Sequence, residues 1–352
     1  MKEWALDLTL GGVALAALIP GVAWARRGWV ALGVVAVAAV GGLVQRVLVP
    51  ADLWTLPAYT GLQAEAGGLA LWAVYALFAR RAGAVVSGPP WLVAPLLGAT
   101  LGEVPAAAIL ASSAADPAAA SRLALAAAAG GLLGRVGDPA IVAMGARAPI
   151  LLLAPLAALA LLVARPRASD LRRTEGASWL PLGIAGAVAA ASVALPLPIA
   201  LGAGCLALGA LALRRPGGLP WAWSELAWPL GCAALVLIVT VGGLPELVAM
   251  GLEITQGRLG RVPLWALTGV SGLFAALLDG PAAGLLGAAT LDRALGLRDP
   301  ALALAVAAGA ALGGLGPLVA AGAVRKGLPR LLLTIAVGCA YVGLLGRWVR
   351  PL

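Results

Sequence analysis

"GEVPAAAIL" (residues 102–110) puts an acid, Glu103, two positions before a proline in the middle of a long apolar run. "LDGPAAGLL" (278–286) repeats the arrangement with Asp279 and Pro281. Asp279 lies 176 positions beyond Glu103, and Pro281 lies 176 beyond Pro105. Each acid has a glycine beside it, Gly102 in the first stretch and Gly280 in the second. Proline removes a backbone donor and disfavours helix at the residue before it. Glycine loosens the chain further. Both stretches therefore predict a broken helix. A carboxylate at the centre of a bilayer adds a cost of roughly 2.5–3.5 kcal/mol on insertion scales. Two costly features that coincide twice, at one offset, point to a duplicated functional element.

The surrounding composition explains why these acids stand out. Of 352 residues, 62% are hydrophobic and only 11% are charged, with a mean hydropathy of +1.01. A soluble chain carries roughly 25% charged residues. Apolar runs near the ~20 residues that span a bilayer recur along the whole length, without the period-two alternation of a β-barrel. The expected class is an all-α polytopic membrane protein, with the lipid bilayer as its principal partner. The N-terminal "MKEWALDLTLGG" lacks a clear cleavage site and reads as a first transmembrane helix. The net charge of +9 sits in short clusters between apolar runs, which speaks for membrane orientation and against nucleic acid. Cys205, Cys232 and Cys339 lie singly in apolar runs and form no CxxC pair, as buried small hydrophobes do. The chain has no histidine, so no His-ligated metal or haem and no His-based triad is available. No cofactor is expected beyond a transported ion such as sodium or a proton, and proton chemistry falls to carboxylates.

The runs fall into two similar series. They cover about 5–24, 28–49, 62–79, 84–118, 121–145 and 149–164, then about 179–195, 197–213, 225–248, 263–290, 300–323 and 328–346. The fourth run of each series is the broken one. "ARPRASDLRRTEGAS" (164–178) lies between the series. The domains expected are a first repeat over 1–163, a cytoplasmic linker over 164–178 and a second repeat over 179–352. A further pair supports the duplication. "AAAAGGLLGRVGDPAIVAMGA" (126–146) resembles "AVAAGAALGGLGPLVAAGAV" (305–324), and Pro317 lies 178 beyond Pro139.

Charge sets an orientation. Five crossings plus one re-entrant hairpin per repeat place Arg26, Arg27, Arg80, Arg81, Arg122, Arg165, Arg167, Arg172, Arg173, Arg214, Arg215, Arg325, Lys326 and Arg330 on one side. Lys2, Arg147, Arg258, Arg261, Arg293, Arg298, Arg347 and Arg350 fall on the other. Fourteen against eight makes the first side cytoplasmic. An odd number of crossings per repeat inverts the second repeat, an architecture common in secondary transporters.

The candidate ion- or proton-binding residues are Glu103, Asp279 and Asp138, the last in "GRVGDPAI" (134–141). Gly102, Gly280, Gly137 and Gly316 are expected to let backbone carbonyls approach the ion. Pro105, Pro281, Pro139 and Pro317 mark the unwound segments. Arg135 stands three residues before Asp138, as a salt-bridge partner or an anion contact. Glu65 and Glu225 begin matching runs and read as interfacial residues, and Glu246 as the outer end of its run.

At these residues the chain resembles the ion transporter superfamily, which includes arsenite permeases, NhaD-type sodium/proton antiporters, citrate permeases and dicarboxylate/sodium symporters. "GGLLGRVGDPAIVAMG" (130–145) is similar to that family's Gly-rich "IGDPPN"-like unwound segment. "GEVPAAAIL" and "LLDGPAAGLL" (277–286) are similar to its "DNxP"-like hairpin tips. "SELAWPLGCAALVLIVTVGGL" (224–244) resembles the helix that precedes its second hairpin. The resemblance implies two inverted repeats, each with a hairpin tip at a midplane site. It also implies a bacterial inner-membrane location. This sequence departs from the family where the tips hold asparagine, because Glu103 and Asp279 stand there. Two carboxylates attract a cation or proton and repel an anion, with about 4 kcal/mol per unit-charge pair at 4 Å and an effective dielectric of 20.

The leading functional expectation is a cation/proton antiporter working by alternating access. A permease for arsenite, citrate or a dicarboxylate is the alternative, with Arg135 as its anion contact. A transport-dead scaffold that kept the fold is another. An enzyme is not expected. "GRVGD" resembles the Gly-x-Gly-Asp signature of intramembrane aspartyl proteases, but Arg135 replaces its first glycine and no Tyr-Asp partner occurs. Besides the bilayer, the partner expected is a small inorganic ion or small carboxylate. A homodimer is compatible with the sequence.

Overall fold

The computed structural model describes residues 88–134, 150–172, 179–195, 197–214, 263–277, 300–314 and 327–349. It also describes single helical positions at 71, 74, 75, 78, 251, 254, 280, 283, 284, 287, 291 and 316. Among these residues every regular element is a helix. Helix α1 covers Pro90–Leu101, α2 Glu103–Ser113, α3 Pro117–Gly131 and α4 Ala154–Ala164, the last entered through a 3-10 turn at Ile150–Leu153. Then follow α5 (Leu180–Ala194), α6 (Leu197–Leu213), α7 (Leu264–Leu277), α8 (Pro300–Gly313) and α9 (Gly327–Val349). The all-α expectation holds. Among the described residues no helix is both long and apolar enough to cross a membrane.

The helix limits follow from local chemistry. Pro90 and Pro117 each occupy the first turn of a helix, where the missing N–H has no partner to lose. Asp116 caps α3, its Oδ1 accepting from the Ala119 amide at 2.6 Å, as short polar side chains do at helix starts. Arg165 ends α4 in the left-handed region at φ 44°. Buried hydroxyls turn back on their own helices. Thr100 donates to the Leu96 carbonyl at 2.8 Å, and Thr268 to that of Leu264 at 3.0 Å. A hydroxyl satisfied in this way can be packed among apolar groups at little cost.

Two helices form the centre. In α8 every residue from Ala301 to Gly313 is buried, and in α3 the same holds for Leu123 to Gly131. Both are alanine- and glycine-rich, and a helix apolar on all sides belongs in a core. Around them, α1, α2 and α4 pack on α3, while α7 and α9 pack on α8. The two centres meet each other directly, and α4 meets α9. The Tyr341 hydroxyl donates to the Leu152 carbonyl at 2.7 Å across that second contact. Helix α5 lies against α1, and α6 lies against Leu71, Tyr75 and Phe78. The halves therefore interleave, with early helices of the second packed on elements of the first.

Glycine makes the closest contacts possible. A Cβ on Gly98, Gly130 or Gly134 would collide with backbone at Ala127, Pro95 or Ala99 respectively, along the α1–α3 contact. A Cβ on Gly309, Gly313 or Gly316 would collide with backbone at Thr268, Gly272 or Ala276, along the α7–α8 contact. Gly130 and Gly134 are four apart, as are Gly309 and Gly313, and their partners advance in step with them. Both helix pairs thus run parallel along a small-xxx-small seam, the packing that brings backbones together where apolar burial alone does not.

Outward faces are apolar as well. Leu151, Leu162, Leu206 and Leu213 are each at least 66% exposed, and Trp91, Ile199 and Trp265 are more than half exposed.

The seam yields a test. Gly313→Val must push apart two backbones in contact and is expected to destabilise the fold by at least about 1–3 kcal/mol, the usual range for overpacking. Gly183, with nothing within 4 Å of an added Cβ, should accept alanine without loss. Thermal unfolding of the two purified variants compares them directly.

Candidate functional site

The fourth apolar run breaks at one residue. Gly102 alone separates α1 from α2, and its φ of +85° lies where only glycine is comfortable. The break expected over Glu103, Val104 and Pro105 is displaced, because those three already form the first turn of α2. Pro105 fits there because first-turn amides lack intrahelical partners. The Ala106 amide donates to the Gly102 carbonyl at 3.2 Å, which closes that turn. Since α1 and α2 pack on each other, α1–Gly102–α2 is a helical hairpin with Glu103 at its tip. Its arms of 12 and 11 residues are about 16–18 Å long at 1.5 Å per residue.

Glu103 is only 1% exposed. It holds the first position of α2, where the positive end of the helix dipole favours a carboxylate. Gly131, the last residue of α3, lies against it, and a Cβ there would collide with Oε1. From the second half, a Cβ on Gly314 would stand 3.2 Å from Oε2, and one on Gly280 3.6 Å from it. The same two positions stand 3.4 and 3.0 Å from the carbonyl oxygen of Ala310. Ala310 belongs to the last turn of α8, at the partly negative end of that helix. The carboxylate of one half therefore ends among the glycines and a helix-end carbonyl of the other. Such a setting offers oxygen ligands, partly negative helix ends and one full negative charge. It suits a small cation or a proton and disfavours an anion.

Of the residues expected at the site, the structure brings Glu103 and Gly280 together, with Gly102 as the pivot. Gly316 instead packs against Ala276 of α7. Asp279, Pro281, Asp138, Arg135, Gly137, Pro139 and Pro317 lie outside the described residues. Gly131, Gly314 and Ala310 were missed by sequence reasoning. The spacing of Gly130 and Gly134 against Gly309 and Gly313 was the signal that could have found the helix ends. Among the described residues no cluster of three metal-ligating side chains occurs.

The base of the hairpin is anchored by a segment expected to be only a linker. Ala114 and Leu171 form an antiparallel bridge. The Ala115 amide donates to the Asp170 carbonyl at 2.8 Å, and the Arg172 amide to that of Ser113 at 2.9 Å. Asp170 is 1% exposed. Its carboxylate accepts from Arg122 through Nε at 2.9 Å and Nη2 at 2.5 Å, and from the Arg167 amide at 2.8 Å. Farther along, the Trp179 ring lies over Gly88, just before the other arm. Chain that leaves α4 thus folds back on the hairpin because a buried carboxylate there finds three donors.

No protein-family model matches the sequence, and none of the curated proteins is significantly similar to it.

The anchor has a definite pH dependence. Burial by itself raises the Asp170 pKa, but the bonds from Arg122 and from the Arg167 amide outweigh it and hold the carboxyl below the usual range. A depressed pKa contributes stability in full above the unfolded value, about 3.9, and loses it as pH falls through the folded value. Asp170→Asn should cost about 1.5–3 kcal/mol, the range for hydrogen bonds to charged groups, in unfolding experiments near pH 7. The gap between wild type and variant should close as the medium is acidified below pH 4.

Proposed function

We propose that this chain is a secondary active membrane transporter of a small ion, most simply a cation/proton antiporter. The observation that carries the reading is the Glu103 carboxylate, buried at a hairpin tip where helix ends of both halves converge. Discontinuous helices that meet between repeats are where transporters hold their ions, with helix-end carbonyls as ligands. Here the N-terminal end of α2 steadies the carboxylate, the C-terminal end of α8 offers the Ala310 carbonyl, and Gly131 at the end of α3 packs against Oε1.

Placement in a membrane rests on composition and on the apolar outward faces. Water would not tolerate so many exposed leucines and tryptophans on one small molecule. Helices shorter than a span fit the same reading when they act as half-spans. Hairpin arms of about 16–18 Å reach the middle of a hydrocarbon core about 30 Å thick. The base then sits at the interface, where Arg122 pairs with Asp170 near Arg165, Arg167 and Arg172. That end is the cytoplasmic one by the positive-inside rule. The inverted duplication is supported by the seam that recurs at Gly130 and Gly134 and at Gly309 and Gly313.

In the proposed cycle Glu103 exchanges a proton for a cation at the seam. Movement of the hairpin against α8 then exposes the carboxylate to each side in turn. Asp279, next to Gly280, supplies the second charge, and Asp138 a further ligand or relay. A permease for arsenite or a small carboxylate would have to neutralise these acids first, and the partly negative helix ends would still repel its anion.

The test is flux in proteoliposomes carrying an internal pH dye. An imposed sodium gradient should drive proton movement in wild type. Glu103→Gln and Asp279→Asn should each lower it at least tenfold while the protein remains folded. An intact wild type without sodium- or proton-linked flux rules out the antiporter. Arsenite or citrate uptake would then favour the permease. Flux in Glu103→Gln equal to that of wild type removes Glu103 from the mechanism.

A further inference from the structure

We propose that Gly314 is the specificity-determining residue of the Glu103 site, setting the size of the cation that can bridge the two halves. The inference rests on the transport reading above and adds to it a residue that carries no charge and lies outside the acid-and-proline motifs.

Three observations carry it. First, Gly280 and Gly314 approach one gap from two directions. A Cβ on either would lie close to both Glu103 Oε2 and the Ala310 carbonyl oxygen, at 3.6 and 3.0 Å from Gly280 and at 3.2 and 3.4 Å from Gly314. A carboxylate oxygen of the first half and a helix-end carbonyl of the second therefore flank a common space. Second, the opposite oxygen has no such freedom. Gly131 is packed so tightly on Oε1 that a methyl group there cannot be accommodated without displacing the carboxylate. Oε2 is thus the oxygen that faces the other half. Third, Gly314 follows the last residue of α8, and every residue of α8 from Ala301 onward is buried. The wall behind the gap is consequently firm.

These facts separate Gly314 from the seam glycines. At Gly309, Gly313 and Gly316 an added Cβ would meet backbone closer than any real contact. At Gly314 it would be tight by only a few tenths of an ångström. Alanine is therefore expected to fold there, while taking up part of the space between Oε2 and Ala310. A methyl group in that space narrows the gap and adds no charge. It should discriminate by size, weakening potassium and sodium before lithium.

The experiment uses the full-length protein and a hydrophobic carbodiimide, which labels protonated carboxyls in apolar surroundings. Labelling of Glu103 is read by peptide mass spectrometry against rising lithium, sodium or potassium chloride. In wild type, sodium should protect Glu103. In Gly314→Ala the labelling rate without cation should stay within about twofold of wild type, while the sodium concentration for half-protection rises at least tenfold and that for lithium rises less. Gly183→Ala, where the new methyl meets nothing within 4 Å, should match wild type. If Gly314→Ala does not fold, Gly280→Ala narrows the same gap from the other side and should show the same order of cations. Unchanged midpoints for all three cations in a folded variant overturn the proposal, as does a wild type that none of them protects. Failure of the transport reading is seen separately, as sodium-driven flux that survives Glu103→Gln.

Discussion

One constraint organises this molecule: a carboxylate has to be held inside an apolar interior. An isolated buried charge is costly unless dipoles or partners replace the water it has lost. The fold meets the demand at Glu103 with the start of a helix and a tip that only a left-handed glycine can form. The ends of two central helices lie beside it. Glycine recurs because helix ends can reach the carboxylate only if nothing projects from them. The seams that draw α1 onto α3 and α7 onto α8 serve the same end, since they fix where those helices stop.

Tip and base of the hairpin differ in kind. The tip carries one buried carboxylate lined by glycines, and it lies between the halves. The base is polar and anchored by the Asp170–Arg122 pair and two backbone hydrogen bonds. An element fixed at one end and bordered by glycine at the other moves most easily at its tip. On the transport reading, that is where motion is useful, because a small shift of α2 against α8 changes which side reaches Oε2. The connecting segment after α4 thereby becomes part of the working structure, although its composition is that of a solvated linker.

The sequence showed much of this, for identifiable reasons. Long apolar runs announced helices, and the limits expected near 197–213 coincide with α6. The acid and proline at 103 and 105 marked the hairpin tip, since few other interpretations fit a carboxylate in such surroundings. The exact pivot was less legible. Proline suggested a break at 103–105, yet a proline in a first turn is compatible with helix, and Gly102 carries the turn. The runs expected over 121–145 and 300–323 contain α3 and α8, which stop at Gly131 and Gly313. Hydropathy could not mark those ends, because glycine and alanine continue past them. The role of Asp170 was hidden too. In "ARPRASDLRRTEGAS" it is one acid among arginines, and its partner Arg122 is 48 positions away. Nothing local could reveal that distant pairing.

The central claim is that a side chain from the first half ends between glycines of the second. The most direct test is a cross-link across that seam in the intact protein. Cys205, Cys232 and Cys339 would be replaced by alanine, and Glu103→Cys combined with Gly314→Cys. A mild oxidant or a short thiol-bridging reagent would then be applied in the membrane, with the joined peptides read by mass spectrometry. The account predicts a prominent link between positions 103 and 314 and none when Gly183→Cys replaces the second site. A folded protein in which 103 and 314 never join, even through the short reagent, would contradict it.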